Sequence, residues 1–280
     1  MMQATKVNID DYELVGEGAN GLSYNHKSNP SVMLKMYMRN FEAAEQELVR
    51  AQKVYAAGIP TPEPGDLVTD GTRTGILFRR MVDKKSYARA VSDDPEHVED
   101  YAREFAGMCR QLHQTHVDTT QFVNVKDHYL NLLNDNPYFT PEQKVKIRQF
   151  ILDAPQADTA IHGDLHFGNA IFVDRDGHRE KYFIDLGDFC YGCPMFDVSM
   201  VYLTCILSGE EFIKNAFHIN KQMSSRFWKA FAPVYFGEDA DMEAIEKEVR
   251  IYAGLKTLII ERDTHRPMPE FRAMLEGTIY

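Results

Sequence analysis

The chain has 280 residues, 44% of them hydrophobic and 26% charged, which is enough for one large domain or two lobes with a substantial core. A net charge of −11 argues against non-specific nucleic-acid binding and leaves open a nucleotide held by a local phosphate site. No run approaches the roughly eighteen apolar residues of a membrane span, and the N-terminal MMQATKVNIDDYELV lacks the apolar stretch of a signal peptide, so a cytoplasmic chain with no membrane partner is expected.

Taken in chain order, the first eighty or so residues are β-rich. YELVGEG (12–18), GLSYNHK (21–27) and SVMLKMY (31–37) are short strands separated by turn residues. Residues 40–58 form a helix, with Phe41, Ala44, Leu48, Ala51 and Tyr55 on one stripe and Gly58 as a C-cap. IPTPEPG (59–65) is a stiff proline connector, and DLVTDG (66–71) with TGILFRRM (74–81) makes a hairpin. After Val82 the pattern turns helical, with a clear stripe over 97–116 and further helices over 126–135 and 140–152. Short strands are expected at 158–162, 171–173 and 181–186, and 195–277 is mostly helical. The composition shift divides the chain into a small β-rich lobe, 1–82, and a larger helical lobe, 83–280.

Cys190 and Cys193 form a C-x-x-C, but no second pair completes a zinc set, so Cys109, Cys190, Cys193 and Cys205 are expected as reduced thiols.

The chemistry concentrates in IHGDLHFGNAIF (161–172), where polar residues interrupt an apolar run. Such groups need partners or a task, because burying them unpaired is costly. Asp164 and Asn169 lie five residues apart across a glycine-containing loop. Sixteen residues past Asn169, KYFIDLGDF places Asp185 at the end of an apolar strand, with Asp188 three residues on. Asn169 and Asp185 are hard oxygen donors suited to Mg²⁺ carried in on phosphates, and Asp164 remains to orient or deprotonate an attacking hydroxyl. GEGANG supplies a glycine-rich turn, Gly16, Gly18 and Gly21, between two strands and not before a helix, which fits a hairpin folded over phosphates better than a dinucleotide turn. Lys35 is the lysine within the apolar third strand, and Glu45 and Glu47 flank the stripe of the helix that follows; helical geometry does not choose between them as its partner. Glycine hairpin, strand lysine, helix glutamate, Asp-x₄-Asn loop and strand-end Asp, in that order, make the layout of a phosphoryl-transfer site.

HGDLHFGN (162–169) and FIDLGDFCYGCPMFDVSMV (183–201) resemble the catalytic loop and metal-binding segment of the aminoglycoside phosphotransferase/choline kinase branch of the protein-kinase-like superfamily. The resemblance implies an α+β bilobal kinase-like fold, with a small antiparallel β-sheet N-lobe and a larger mainly helical C-lobe. It implies ATP, or less readily GTP, in the cleft with Mg²⁺, and transfer of the γ-phosphoryl group to a small-molecule hydroxyl. Carried over by residue, Asp164 would be the base or orienting carboxylate, and Asn169 and Asp185 would ligate Mg²⁺. Lys35 would contact the α/β-phosphates and pair with a helix glutamate, Glu47 being favoured by its spacing to the proline connector. Gly16 to Gly21 would cover the phosphates, the backbone of Arg80, Met81 and Val82 would hold the adenine, and Asp197 would brace the catalytic loop. D-L-G-D stands where protein kinases have D-F-G, no A-P-E follows, and residues 186–196 leave no room for a long activation segment, so a small acceptor is favoured over a protein. The acidic balance is compatible with a cationic acceptor, although a solvated acidic surface also explains it. The rival readings are a protein kinase, a nucleotide-binding pseudokinase, and a zinc hydrolase built on His162, Asp164 and His166.

Overall fold

The computed structural model describes residues 3–18, 21–37 and 41–280. The fold is α+β, and the chain divides into two compact units: residues 1–85 with 170–187, and residues 86–169 with 188–280.

The first unit is built on a six-stranded sheet. Its strands are β1 (Thr5–Lys6), β2 (Tyr12–Gly18), β3 (Gly21–His26), β4 (Val32–Tyr37), β5 (Pro64–Thr69) and β6 (Thr74–Arg79), with helix α1 (Phe41–Ala56) between β4 and β5. The order is β1-β5-β6-β4-β3-β2, antiparallel except where β1 lies parallel to β5. Period-2 alternation sends Leu34 and Met36 into one cluster with Tyr12, Tyr24 and Val68. The stripe of α1 buries Ala44 and Leu48 against Tyr37, Leu67 and Ile76 on the other face. Strands Ala170–Arg175 and His178–Phe183 form an antiparallel hairpin that belongs to this unit, where Phe183 N–H donates to Pro60 O at 2.8 Å. The expected 181–186 strand therefore starts earlier and stops at Phe183. Asp185, at φ +61°, has left the extended region.

The second unit is helical. Helix Val98–His113 packs on helix Lys221–Phe236, with Phe105 ring centres 5.9 Å and 5.8 Å from those of Phe227 and Phe231. Trp228 is buried in the same layer and its indole N–H donates to Glu246 Oε1 at 2.7 Å, which makes it a core residue. Asp241 caps helix Met242–Leu255 by accepting from Ala244 N–H, so the acidic run around it is a helix start. The expected strand at 158–162 shrinks to Ala160–Ile161, because the next two backbone N–H groups, of His162 and Gly163, turn to the Asp197 carboxylate and not to a strand partner. All four cysteines are buried and none is disulfide-bonded.

Glu261, late in the chain, is a structural anion. Its side chain is fully buried and accepts from Arg272 Nε at 2.6 Å and Nη2 at 2.9 Å, from Asn136 Nδ2 at 2.7 Å and from Met268 N–H at 2.8 Å. Burial raises its pKa, but the Arg272 and Asn136 bonds outweigh that and hold it below the usual carboxylate value. Arg272→Met leaves this anion buried and uncompensated and is expected to cost about 3 kcal/mol in urea unfolding at neutral pH. A depressed carboxylate stabilises the fold above its unfolded pKa, about 4.3, and that contribution drains as pH falls from there through the folded value. The gap between wild type and Arg272→Met should therefore narrow in acid. A gap that holds constant to low pH would remove Glu261 from the account.

Candidate functional site

The first unit gathers three charged side chains from distant parts of the chain. Lys35 leaves β4 between the buried Leu34 and Met36, so its side chain emerges on the opposite face from theirs. Its Nζ donates to Glu47 Oε1 at 3.0 Å and to Asp185 Oδ1 at 2.8 Å, and lies 5.2 Å from the centre of the Tyr37 ring. Burial pulls the Lys35 pKa down, but Asp185 and Glu47 outweigh it and leave it above the ordinary lysine value, so the side chain is an ammonium at neutral pH. The partner on α1 is thus Glu47. Asp185 pairs with Lys35 from a left-handed backbone, a conformation that costs a non-glycine residue about 1–2 kcal/mol and clusters at functional sites. Its side chain is 47% exposed, which leaves it accessible beyond the lysine contact.

The glycine hairpin belongs to the same unit. Gly18 and Gly21 face each other where β2 meets β3, and the two residues between them, Ala19 and Asn20, lie outside the described residues. A Cβ at Gly21 would sit 2.3 Å from Met36 O, so that position accepts only glycine, whereas one at Gly16 would meet nothing closer than 3.7 Å. Arg80, Met81 and Val82 follow β6; Arg80 N–H donates to Ser31 O at 2.8 Å, and Val82 is 37% exposed.

The second unit holds the Asp164 loop. Asp197, fully buried near the start of helix Met195–Tyr202, anchors it. Its Oδ2 accepts from His162 N–H at 2.6 Å and faces His113 Nε2 at 3.1 Å, and its Oδ1 accepts from Gly163 N–H at 2.9 Å. His113 Nδ1 in turn meets Tyr235 Oη at 2.6 Å. Burial raises the Asp197 pKa, but the His113 bond, with His162 and Lys256 nearby, brings it below the ordinary value, so the anchor is a carboxylate. Asn169 closes the loop, its Nδ2 donating to Asp164 O at 2.9 Å and to Asp164 Oδ2 at 3.2 Å. That commits the amide nitrogen to Asp164 and gives the carboxamide oxygen the role of a donor atom directed elsewhere. His166 Nδ1 accepts from Gly168 N–H at 3.1 Å, which places the ring proton of the neutral form on Nε2, 3.8 Å from Asp164 Oδ2. His162 is fully buried and its Nδ1 accepts from Asp164 N–H at 3.3 Å, a supporting role beneath the loop.

Gly163 has a strict requirement. Its φ is +91°, and a Cβ there would lie 2.3 Å from the Asp188 carbonyl oxygen. Gly163→Ala should destabilise the chain by more than about 1 kcal/mol. Turnover should fall beyond what the loss of folded protein explains, because the displaced peptide carries Asp164. Unchanged melting and rate would show that the backbone moves aside freely.

Each of the two expected ligands suits Mg²⁺ by its own chemistry: in the first unit a carboxylate at 185 with half its surface exposed, and in the second a carboxamide oxygen at 169 oriented by its own N–H₂ bonds, both hard oxygens. Among the described residues no group of three or more His, Cys, Asp or Glu side chains is arranged to hold a metal ion, so His162, Asp164 and His166 do not form a zinc set.

Residues 13–227 match the profile of the phosphotransferase enzyme family. The chain belongs to that family. The fold of this phosphotransferase is shared with solved structures of low sequence identity. One is a choline/ethanolamine kinase family protein from Mesorhizobium loti, with a TM-score of 0.53, 18% identity, and 95% of this chain and 84% of that one covered. Another is an ADP-bound aminoglycoside phosphotransferase, APH(2'')-Ib, with a TM-score of 0.56, 16% identity, and coverage of 95% and 92%. A third is the aminoglycoside phosphotransferase APH(3'')-Id from Streptomyces rimosus, with a TM-score of 0.59, 20% identity, and coverage of 88% and 92%. No curated protein sequence matches the chain.

Two features of the phosphotransferase escape sequence reasoning. The Asp197–His113–Tyr235 chain is made of bonds between residues more than eighty positions apart, and His113 reads simply as the last turn of a helix. Lys256, at the junction of helices Met242–Leu255 and Thr257–Thr264, is an ordinary lysine in sequence, and only its burial, 3% exposed, distinguishes it.

Proposed function

We propose that the protein transfers the γ-phosphoryl group of ATP to a hydroxyl of a small molecule. The meeting of Lys35, Glu47 and Asp185 within 3.0 Å supports this reading most directly, because it pairs a buried-stem ammonium with a metal-competent carboxylate, as handling a polyphosphate requires. In this reading Glu47 aims Lys35 at the α/β-phosphates, and the Gly16–Gly21 hairpin covers them. Arg80 N–H is taken by Ser31 O, so adenine is read by the Arg80 carbonyl and the backbone of Met81 and Val82. Asp185 and the Asn169 carboxamide oxygen would hold Mg²⁺, which would offset charge on the phosphate oxygens.

Asp164 is the group for the acceptor. Asn169 and His166 both address its Oδ2, which turns the rest of a carboxylate that is 41% exposed toward an incoming hydroxyl. The acceptor oxygen forms its bond to the γ-phosphorus as the bond from that phosphorus to the β,γ-bridging oxygen breaks. Asp164 takes the hydroxyl proton, and ADP leaves with the bridging oxygen.

The test is ADP release from Mg·ATP across amino sugars, amino alcohols, plain sugars and nucleosides, with Asp164→Asn alongside. Release stimulated by one class and lost in the variant is the expected result. Release that is equal in both proteins, or phosphorylation confined to a protein substrate, would overturn the reading.

A further inference from the structure

Three lysines of the second unit reach into its interior, and two of them have plain structural work. Lys126 Nζ donates to Leu152 O at 2.8 Å. Lys221 Nζ ties down the π-helical turn Leu203–Leu207 through the carbonyls of Cys205, Ile206 and Ser208, at 3.1, 2.8 and 2.8 Å. Lys256 is different. It is 3% exposed, yet its Nζ stands 3.5 Å from Gly163 O, long for a hydrogen bond, and 5.5 Å from the centre of the Tyr129 ring. Together with Tyr129, Gly163, Asp188 and Asp197 it lines a small cavity. Burial pulls its pKa down, but Tyr129, Asp197 and Asp164 outweigh that and leave it above the ordinary lysine value, so this is a buried ammonium. Burying an ammonium costs several kcal/mol, and one held by long contacts recovers little of that as fold stability.

Its placement gives it another use. The peptide unit on either side of Gly163 is gripped by opposite charges: Gly163 N–H donates to Asp197 Oδ1 at 2.9 Å, and Gly163 C=O faces Lys256 Nζ. The carbonyl belongs to the peptide bond that leads directly into Asp164, whose own carbonyl is held by Asn169. The anion fixes where the loop enters, and the cation fixes the plane from which the Asp164 side chain departs. It also sets a positive charge on the side of Asp164 away from solvent.

We infer that Lys256 is a positioning residue for phosphoryl transfer, acting through the Gly163–Asp164 peptide and touching neither nucleotide nor acceptor. The inference rests on the proposed reaction and adds to it a part that neither HGDLHFGN (162–169) nor FIDLGDFCYGCPMFDVSMV (183–201) contains.

Lys256→Met removes the charge at similar length, and Lys256→Arg keeps it. ADP formation with the acceptor class found active, KM for ATP and thermal melting are measured for both. Lys256→Met should lower kcat about 10- to 100-fold, the scale of a small misplacement of a catalytic group. KM for ATP should be unchanged, because the contacts of Lys256, with Gly163 O and the Tyr129 ring, involve none of Lys35, Glu47, Asp185 and Asn169. Melting should be unchanged or higher, since a buried charge has been replaced by an apolar chain. Lys256→Arg should recover part of the rate. An unchanged kcat in Lys256→Met overturns the inference while leaving the phosphotransfer reading intact. A Met variant that melts well below wild type, with no recovery in Arg, makes Lys256 a fold brace and overturns it as well, and that arm needs no acceptor. A wild type that outpaces Asp164→Asn on no acceptor overturns both readings, an outcome separable from the first by the wild-type rate alone.

Discussion

Asp164→Asn is expected to cut turnover by about 10²- to 10⁴-fold, the range over which a positioned proton acceptor contributes. The replacement is close to isosteric and its carboxamide oxygen can still accept from Asn169 Nδ2, so the loop should keep its shape. What it loses is the negative charge and the capacity to take a proton. ATP affinity should hold, because Lys35, Glu47 and Asp185 lie in the other unit and none of their mutual contacts involves residue 164. Rapid-quench turnover paired with a nucleotide-binding titration separates the two quantities. A variant that keeps its rate would take Asp164 out of the chemistry, and one that loses ATP binding would make it a nucleotide ligand.

Asp185→Asn should be the second most damaging change, at about 10²- to 10³-fold in turnover, the scale on which removing one electrostatic contact to a reacting group is felt. Asparagine suits the test because it tolerates the left-handed backbone that Asp185 adopts at φ +61°. Loss of the charge therefore need not disturb the turn, and melting should stay near wild type. Two consequences are specific. The Mg²⁺ concentration needed for half-maximal rate should rise, because a carboxamide oxygen is a weaker ligand than a carboxylate. Lys35 should also lose one of the two anions that hold its pKa up and rely on Glu47 alone. A variant with the wild-type rate and Mg²⁺ dependence would remove Asp185 from the metal.

Both blocks were visible in the sequence because polar residues broke apolar runs that had no structural need of them. HGDLHFGN and IDLGD place Asp, Asn and His where a strand alone would be Val or Ile. Lys35 stood out in the same way, as a cation in SVMLKMY. Its partner did not, since Glu45 and Glu47 flank the helix stripe alike, and only packing of α1 against the sheet selects Glu47. The limits of the strands around the site were less legible. Strand pairing ends at Ile161 because Asp197 captures the next two N–H groups, and at Phe183 because the chain must turn left-handed at Asp185; both are tertiary causes. Gly163 carried a signal only in part: a glycine before Asp suggests a turn, but the approach of the Asp188 carbonyl that forbids a side chain arises in three dimensions. Lys256 was illegible for the same reason, since a lysine between two helices reads as solvent-facing until its burial is known.

The most direct measurement is ³¹P NMR of the reaction of the protein with Mg·ATP and the acceptor class that stimulates ADP release. Phosphoryl transfer to a hydroxyl predicts a phosphomonoester resonance that grows in step with ADP and that Asp164→Asn forms about 10²- to 10⁴-fold more slowly. Inorganic phosphate as the only new signal besides ADP, or a phosphomonoester formed equally by the Asp164→Asn protein, would contradict it.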